Sequence, residues 1–224
     1  APPMSAVSSS LTTSITDEFA QMGANNITVG LKKQSDEEET RSNGMKFGAS
    51  NRQISLEEDD RITDDMITAL KKKFSTSVDS ISLEESVGSG TVKSGEDTAN
   101  VSLSGINTGY FDANDITLLA GRYLTDKDVK GKKSVIMVSD KVVDAIFDGD
   151  TSKALSQKIN IDINNVYYSF YIVGVYEYES AGTVSDSDDV TTNAYIPLAT
   201  EKEIMRSDDG YTQFTIVTDT SVSS

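Results

Sequence analysis

The sequence predicts an α+β protein of two lobes, one carried as an insertion in the other. Three observations support this. The 224 residues suffice for one good-sized domain or two small ones with a real core. With residues 105–196 set aside, the rest reads as strand (26–31), helix (63–74), strand (78–83), strand (91–104), helix (200–206) and strand (211–217). That order is β-α-β-β-α-β, the ferredoxin-like split unit. The block set aside, 105–196, is a smaller, β-rich α+β lobe, so the outer lobe is discontinuous: 1–104 plus 197–224.

The first element is a helix near Leu11–Met22, where Leu11, Ile15, Phe19 and Met22 form one apolar stripe and Gly23 follows as a C-cap. It is either the outward continuation of a membrane helix or an ordinary amphipathic helix. Asn26–Leu31 alternates as a strand, and the polar run 32–53, acidic at Asp36–Glu39, predicts a mobile loop that Met45 and Phe47 can pin. Thr63 is a good N-cap for the next helix, with Asp64 and Asp65 in the first turn and an Ile62–Ile67 staple. Met66, Ile67, Leu70 and Phe74 form its buried face. Lys71, Lys72 and Lys73 complement the negative end of the helix dipole, which explains the triplet without a binding site. Val78–Leu83 reads as a strand, and Gly88-Ser89-Gly90 as a hairpin turn into strands at Thr91–Val92 and Ala99–Ile106. No Gly-Lys-Ser/Thr and no helix follow those glycines, so they form no phosphate cradle.

Residues 105–129 are the most informative stretch. Gly105 opens a strand-like start; the pair Tyr110-Phe111 follows; Ala120-Gly121-Arg122 makes a turn; Thr125 then caps a helix that begins Asp126-Lys127-Asp128. Ser134–Val138 is a buried-type strand, and Ser139 caps a helix with Val142, Val143, Ile146 and Phe147 on its apolar side, ended by Gly149. Lys158–Ile163 and Tyr167–Tyr176 read as strands joined by an Asn164-Asn165 turn. A Ser/Asp/Gly-rich loop covers 179–191, and Asn193–Ile196 is a short strand before Pro197. Thr200 and Glu203 predict a capping box for a helix to Met205, and Tyr211–Val217 closes as a strand.

Composition narrows the function. A net charge of −16 argues against nucleic-acid backbones and anionic lipid as main partners. With no cysteine there are no disulfides and no thiolate metal sites, and with no histidine there is no Ser-His triad and no imidazole base. No stretch approaches the roughly 20 apolar residues that span a bilayer, and no signal peptide is visible. Ala1-Pro2-Pro3-Met4 and Ser221–Ser224 read as cut ends, from which membrane helices have been removed.

The carboxylate groupings are read structurally. Asp148-Gly149-Asp150 and Asp186–Asp189 lack the twelve-residue calcium-loop pattern. The neighbours Asp64 with Asp65, and Glu57 with Glu58, have no implied apolar pocket to split their pKa values. Arg122 can bind backbone carbonyls, or a carboxylate such as Asp126 or Asp128. The tyrosines of 167–178 read as ordinary strand packing.

Taken in order, these pieces resemble one family over nearly the whole chain. The pieces are Ile15–Val29, Tyr110-Phe111, Ala120-Gly121-Arg122, Thr125–Asp128, Val135–Ser139 with Val142–Phe147, Phe170–Val175 with Gly174, and Tyr195-Ile196-Pro197-Leu198. The chain resembles the external core domain of MacB-type ABC transporter permeases. It departs at Lys153–Lys158, which lacks the family's Pro-Leu-Gly-Lys-like turn. The resemblance implies a porter-like outer lobe carrying the inserted one, with Gly105, Tyr110, Phe111, Gly121, Arg122, Asp126, Asp128, Gly174 and Pro197 as a structural signature rather than a reactive site. It implies an extracytoplasmic domain of a permease in the cell membrane, with no cofactor, no metal and no catalysis of its own. That domain would transmit ATP-driven motion to export a substrate. The partners implied are a second permease copy, an ABC ATPase subunit and a membrane-fusion-type adaptor, with no nucleic acid; the isolated domain is expected to be a monomer. The competing expectation is an extracellular ligand- or peptide-binding sensor module with no mechanical role.

Overall fold

The computed structural model describes residues 27–31, 52–56, 62–75, 78–180, 190–206, 210, 211 and 213–218. The described residues are mixed α/β, rich in sheet, with few and short helices. It divides into two compact units, Ala1–Leu83 with Asp209–Ser224, and Glu84–Asp208. The expected helix at 11–22, the acidic run 36–39, Glu57, Glu58 and Asp186–Asp189 lie outside the described residues.

In the first unit, strands β1 (Ile27–Leu31) and β2 (Arg52–Leu56) pair in parallel. The expected loop 32–53 therefore ends as strand from Arg52, where Ile54 and Leu56 alternate with polar neighbours. Strand β10 (Gln213–Thr218) lies antiparallel between β1 and the first part of β3 (Val78–Ser94). Helix α1 (Asp64–Lys73) starts as expected, with the Thr63 hydroxyl accepting from the Met66 amide at 3.3 Å. Ile62 and Tyr211 exchange backbone hydrogen bonds of 3.1 and 2.7 Å, and the Tyr211 hydroxyl donates to Asp64 at 2.6 Å. These bonds hold the helix start beside the closing strand. Leu70, Ile81, Leu83, Phe214 and Ile216 are buried here.

In the second unit, β3 continues from Glu84 and pairs with β4 (Asp97–Ile106). No turn forms at Gly88-Ser89-Gly90. The register shifts between Ser86 and Gly88, where Gly88 takes φ +143°, so the strand bulges and goes on. The hairpin turn falls at Gly95 instead, with φ +62°. β4 pairs in parallel with β9 (Thr192–Pro197), and β9 meets β6 (Val135–Ser139). β6 pairs with β8 (Val166–Tyr176), β8 with β7 (Lys158–Ile163), and β7 returns to β3 at Thr91 and Val92. The pairings thus close a ring of six strands, which leaves few free edges. Gly90 permits the closure, since a Cβ there would lie 2.6 Å from the Asp162 carbonyl and from Ile163.

Alternate residues point into this ring. Val92, Leu103, Ile136, Ile161, Phe170, Ile172 and Ile196 form one buried cluster, joined by Val142 and Val143 of α4 (Asp140–Phe147) and Ala154 of α5 (Thr151–Ala154). Ser139 caps α4 as expected, accepting from the Val142 amide at 3.3 Å, but Asp148 takes the left-handed cap position ahead of Gly149. Asn164 and Asn165 turn with φ of +52° and +64°, the pattern of a type I′ hairpin.

The division differs from the expected cuts at 104/105 and 196/197. β4 pairs along its length with the later part of β3 and, over Val101–Ile106, with β9, so it lies with the second unit, as does α6 (Leu198–Met205). The expected capping box of α6 is absent: the helix begins directly after Pro197 with no side-chain cap. Thr200 sits inside it, and its hydroxyl donates to the Lys133 carbonyl at 2.9 Å.

Candidate functional site

The signature residues gather where the segment 107–125 crosses the outside of the ring. Helix α2 (Tyr110–Ala113) follows β4, so the Tyr-Phe pair that sequence placed after a strand lies on a helical turn. Strand β5 (Leu118–Gly121) then pairs with the end of β8, aligning Gly121 with Gly174. Both glycines are required by the approach. Gly121 has φ +76°, and a Cβ on it would overlap the Val173 carbonyl; a Cβ on Gly174 would overlap the Arg122 carbonyl. The Arg122 amide donates to the Val173 carbonyl at 2.9 Å.

Arg122 meets both expected kinds of acceptor, a backbone carbonyl and a carboxylate, and the carboxylate is that of Asp128 rather than Asp126. Its guanidinium donates to both carboxylate oxygens, at 2.6 and 3.2 Å, and to the Tyr123 carbonyl at 3.0 Å. Asp128 is the N3 residue of α3 (Asp126–Lys130), whose N-cap is Thr125. The Thr125 hydroxyl accepts from the Asp128 amide, and Asp128 accepts from the Thr125 amide at 2.9 Å, a closed capping box. Lys133 approaches the same carboxylate at 3.3 Å. Asp128 is 0 % exposed, and burial alone would favour its neutral form. The Arg122 guanidinium, the Thr125 hydroxyl and amide, and Lys133 outweigh that and hold its carboxyl well below the usual range. Asp126 points elsewhere and accepts from the Thr108 hydroxyl at 2.7 Å.

Beneath this node lies an aromatic layer. Tyr110 packs tilted against Tyr195 with centroids 5.2 Å apart, Tyr195 against Tyr176 at 5.6 Å, and Phe111 against Tyr123 at 4.9 Å. Ile106, Leu124 and Met137 are buried with them. The Tyr176 hydroxyl donates to the Asn193 carbonyl at 2.6 Å, and the Asn193 amide donates to the Tyr195 hydroxyl at 3.3 Å. Burial pushes the Tyr110 and Tyr176 hydroxyls above the usual tyrosine range, so both stay protonated donors. Pro197 is in register with Ile106, and Gly105 lies under α6.

Tyr176, Asn193 and Thr192, whose hydroxyl bonds that of Ser139 at 2.6 Å, were not singled out from sequence, because their roles depend on partners set by the fold. Asp150 caps α5 by accepting from the Ser152 and Lys153 amides. Among the described residues, no group of three or more His, Cys, Asp or Glu side chains is placed to hold a metal ion. Nor is any described helix long and apolar enough to cross a membrane. The arrangement joins two ion pairs to one carboxylate, one capping box and one aromatic layer, which together fasten a segment to a sheet.

The family description "MacB-like periplasmic core domain" matches residues 4–224. The chain therefore belongs to the MacB-like periplasmic core domain family, and is a periplasmic or extracellular core domain of a membrane-embedded ABC transporter permease. Two solved structures share its fold. The extracellular domain of the noncanonic ABC-type transporter YknZ from Gram-positive bacteria is 23 % identical, with a TM-score of 0.54 over 72 % of this chain and 75 % of that one. The periplasmic region of MacB from Actinobacillus actinomycetemcomitans is also 23 % identical, with a TM-score of 0.54 over 74 % of this chain and 69 % of that one. No curated protein matches the chain. The family is one of permeases, not of catalysts.

Proposed function

We propose that this domain transmits ATP-driven conformational change across the membrane to drive export or extrusion of a substrate. The observation that carries the reading is the locked second unit. Its six-strand ring is filled by one apolar core, and the signature segment is pinned to it by Asp128, Arg122 and the paired glycines. A packed body of this kind moves as a whole rather than deforming. In this reading the nine signature residues are structural. The porter-like outer lobe is taken as 1–104 plus 197–224, with the ferredoxin-like split order; the succession β1, α1, β3, β4, α6, β10 along the chain supports that assignment, with β2 as an added strand and with β4 and α6 packed in the second unit. ATP is hydrolysed on a separate subunit or domain, two permease copies act together, and a membrane-fusion-type adaptor receives the motion.

The test uses the full-length permease with its ATPase in lipid vesicles. Spin labels replace Lys153, an exposed residue of α5, in both copies. The expected result is a distance between copies that differs by several ångströms between nucleotide-free and ATP-trapped states. An unchanged distance while ATP is hydrolysed and substrate moves would leave the domain a passive binding module.

A further inference from the structure

Helix α6 carries a charge where its packing offers none in return. Glu201 is 3 % exposed, and its Oε2 has no hydrogen-bond partner among the described residues. Space for the side chain is made by Gly105 on β4. A Cβ on Gly105 would overlap the Glu201 Cβ, lie 2.8 Å from its Cγ and lie 3.3 Å from the Leu198 Cα. The glycine thus lets α6 lie directly on the β4 backbone with Glu201 between them.

The surroundings bring more negative than positive charge to it. β3 brings Glu84 and Glu85, opposite Ile106 and Gly105 in the ladder. β4 brings Ser104, which bonds Glu84. β9 brings Tyr195, whose hydroxyl is engaged by Asn193. On the α3 side, Lys133 approaches Asp128 at 3.3 Å and Lys132 approaches Glu203 at 3.9 Å. On α6 itself, Lys202 lies next in sequence and only partly offsets the acidic neighbours. No ion pair to Glu201 is present among the described residues. A buried carboxylate with no ion pair and with one oxygen that no donor meets is costly, and the neutral acid is the form such a site accepts.

We infer that Glu201 is a proton-binding site, and that its protonation couples the seating of α6 on β4 to the pH outside the membrane. Burial, and secondarily Glu85, push its carboxyl up to about 7 against Lys202. The sign follows. A carboxyl whose folded pKa is raised keeps α6 seated best below the ordinary carboxyl pKa of about 4.5. That stability declines as pH rises towards about 7 and is lost above it.

Two measurements on the whole domain test this. With the glutamate carboxyl carbons labelled and Glu201→Gln used to assign the resonance, a titration of the unmutated protein should give Glu201 a midpoint well above the other carboxyls. Amide exchange, corrected for intrinsic rates, should give α6 an opening constant larger at pH 8 than at pH 5 by on the order of tenfold to a hundredfold. The β6 amides should not share that change, and Glu201→Gln should remove it. An ordinary midpoint for Glu201, or α6 opening that is independent of pH in the unmutated chain, overturns the inference.

Discussion

Asp128 shows how one residue can serve two elements. It closes the capping box of α3 and holds Arg122 at the end of β5, in a site with no exposure. Replacing it with Ala removes a charged cap and the partner of a half-exposed guanidinium that water can still reach. The expected loss is about 2–3 kcal/mol in urea unfolding. Because the folded carboxyl is depressed, its contribution is full above the unfolded carboxyl range, declines as pH falls below about 4 and is lost only as pH falls through the depressed folded value. The Asp128→Ala protein should accordingly lose less stability than the parent between pH 6 and pH 3. The choice of Asp128 over Asp126 was legible in principle, since N3 is the position that reaches back to an N-cap. The glycines offer a second comparison. Gly174→Ala drives a methyl into the Arg122 carbonyl, whereas Gly95→Ala meets nothing within 4 Å and costs only its positive φ, about 1 kcal/mol. Thermal unfolding should rank Gly174→Ala as clearly the more damaging; equal losses would show that the β5–β8 approach is loose.

Elements were legible where the signal is local. Two asparagines between alternating strands specify a type I′ turn, and Thr125 and Ser139 sit ahead of acidic first turns. They were misread where the same letters serve another purpose. Gly88 and Gly90 look like a turn because turns, bulges at positive φ and close strand approaches all call for glycine. Only the partner strand β7 distinguishes the cases, and it lies about 70 residues further on. Thr200 and Glu203 fit the capping-box spacing, but Pro197 starts the helix earlier and frees Thr200 for the Lys133 carbonyl. Gly90→Val should therefore open the β3–β7 contact. Amide exchange at Val92 and Ile161 should rise far more than at the Asn164-Asn165 hairpin end. Uniform exchange across the ring would mean that closure is cooperative and that Gly90 is not its weak point.

At the scale of the molecule, sequence carried the family and the mixed sheet-rich class further than it carried the division into units. Family identity rests on short motifs in a fixed order, and each motif is local. Unit boundaries depend on which strands pair, and β4 is drawn to β9 across a long separation. The central claim is that the second unit travels as one body when the transporter turns over. The most direct check places two spin labels inside a single copy, at Thr98 and Lys153, both exposed. This chain contains no cysteine, so introduced pairs need no background removal within it. The distance between these two labels should be the same in nucleotide-free and ATP-trapped permease, while the distance between copies changes. A shift within the unit of the size seen between copies would contradict the account.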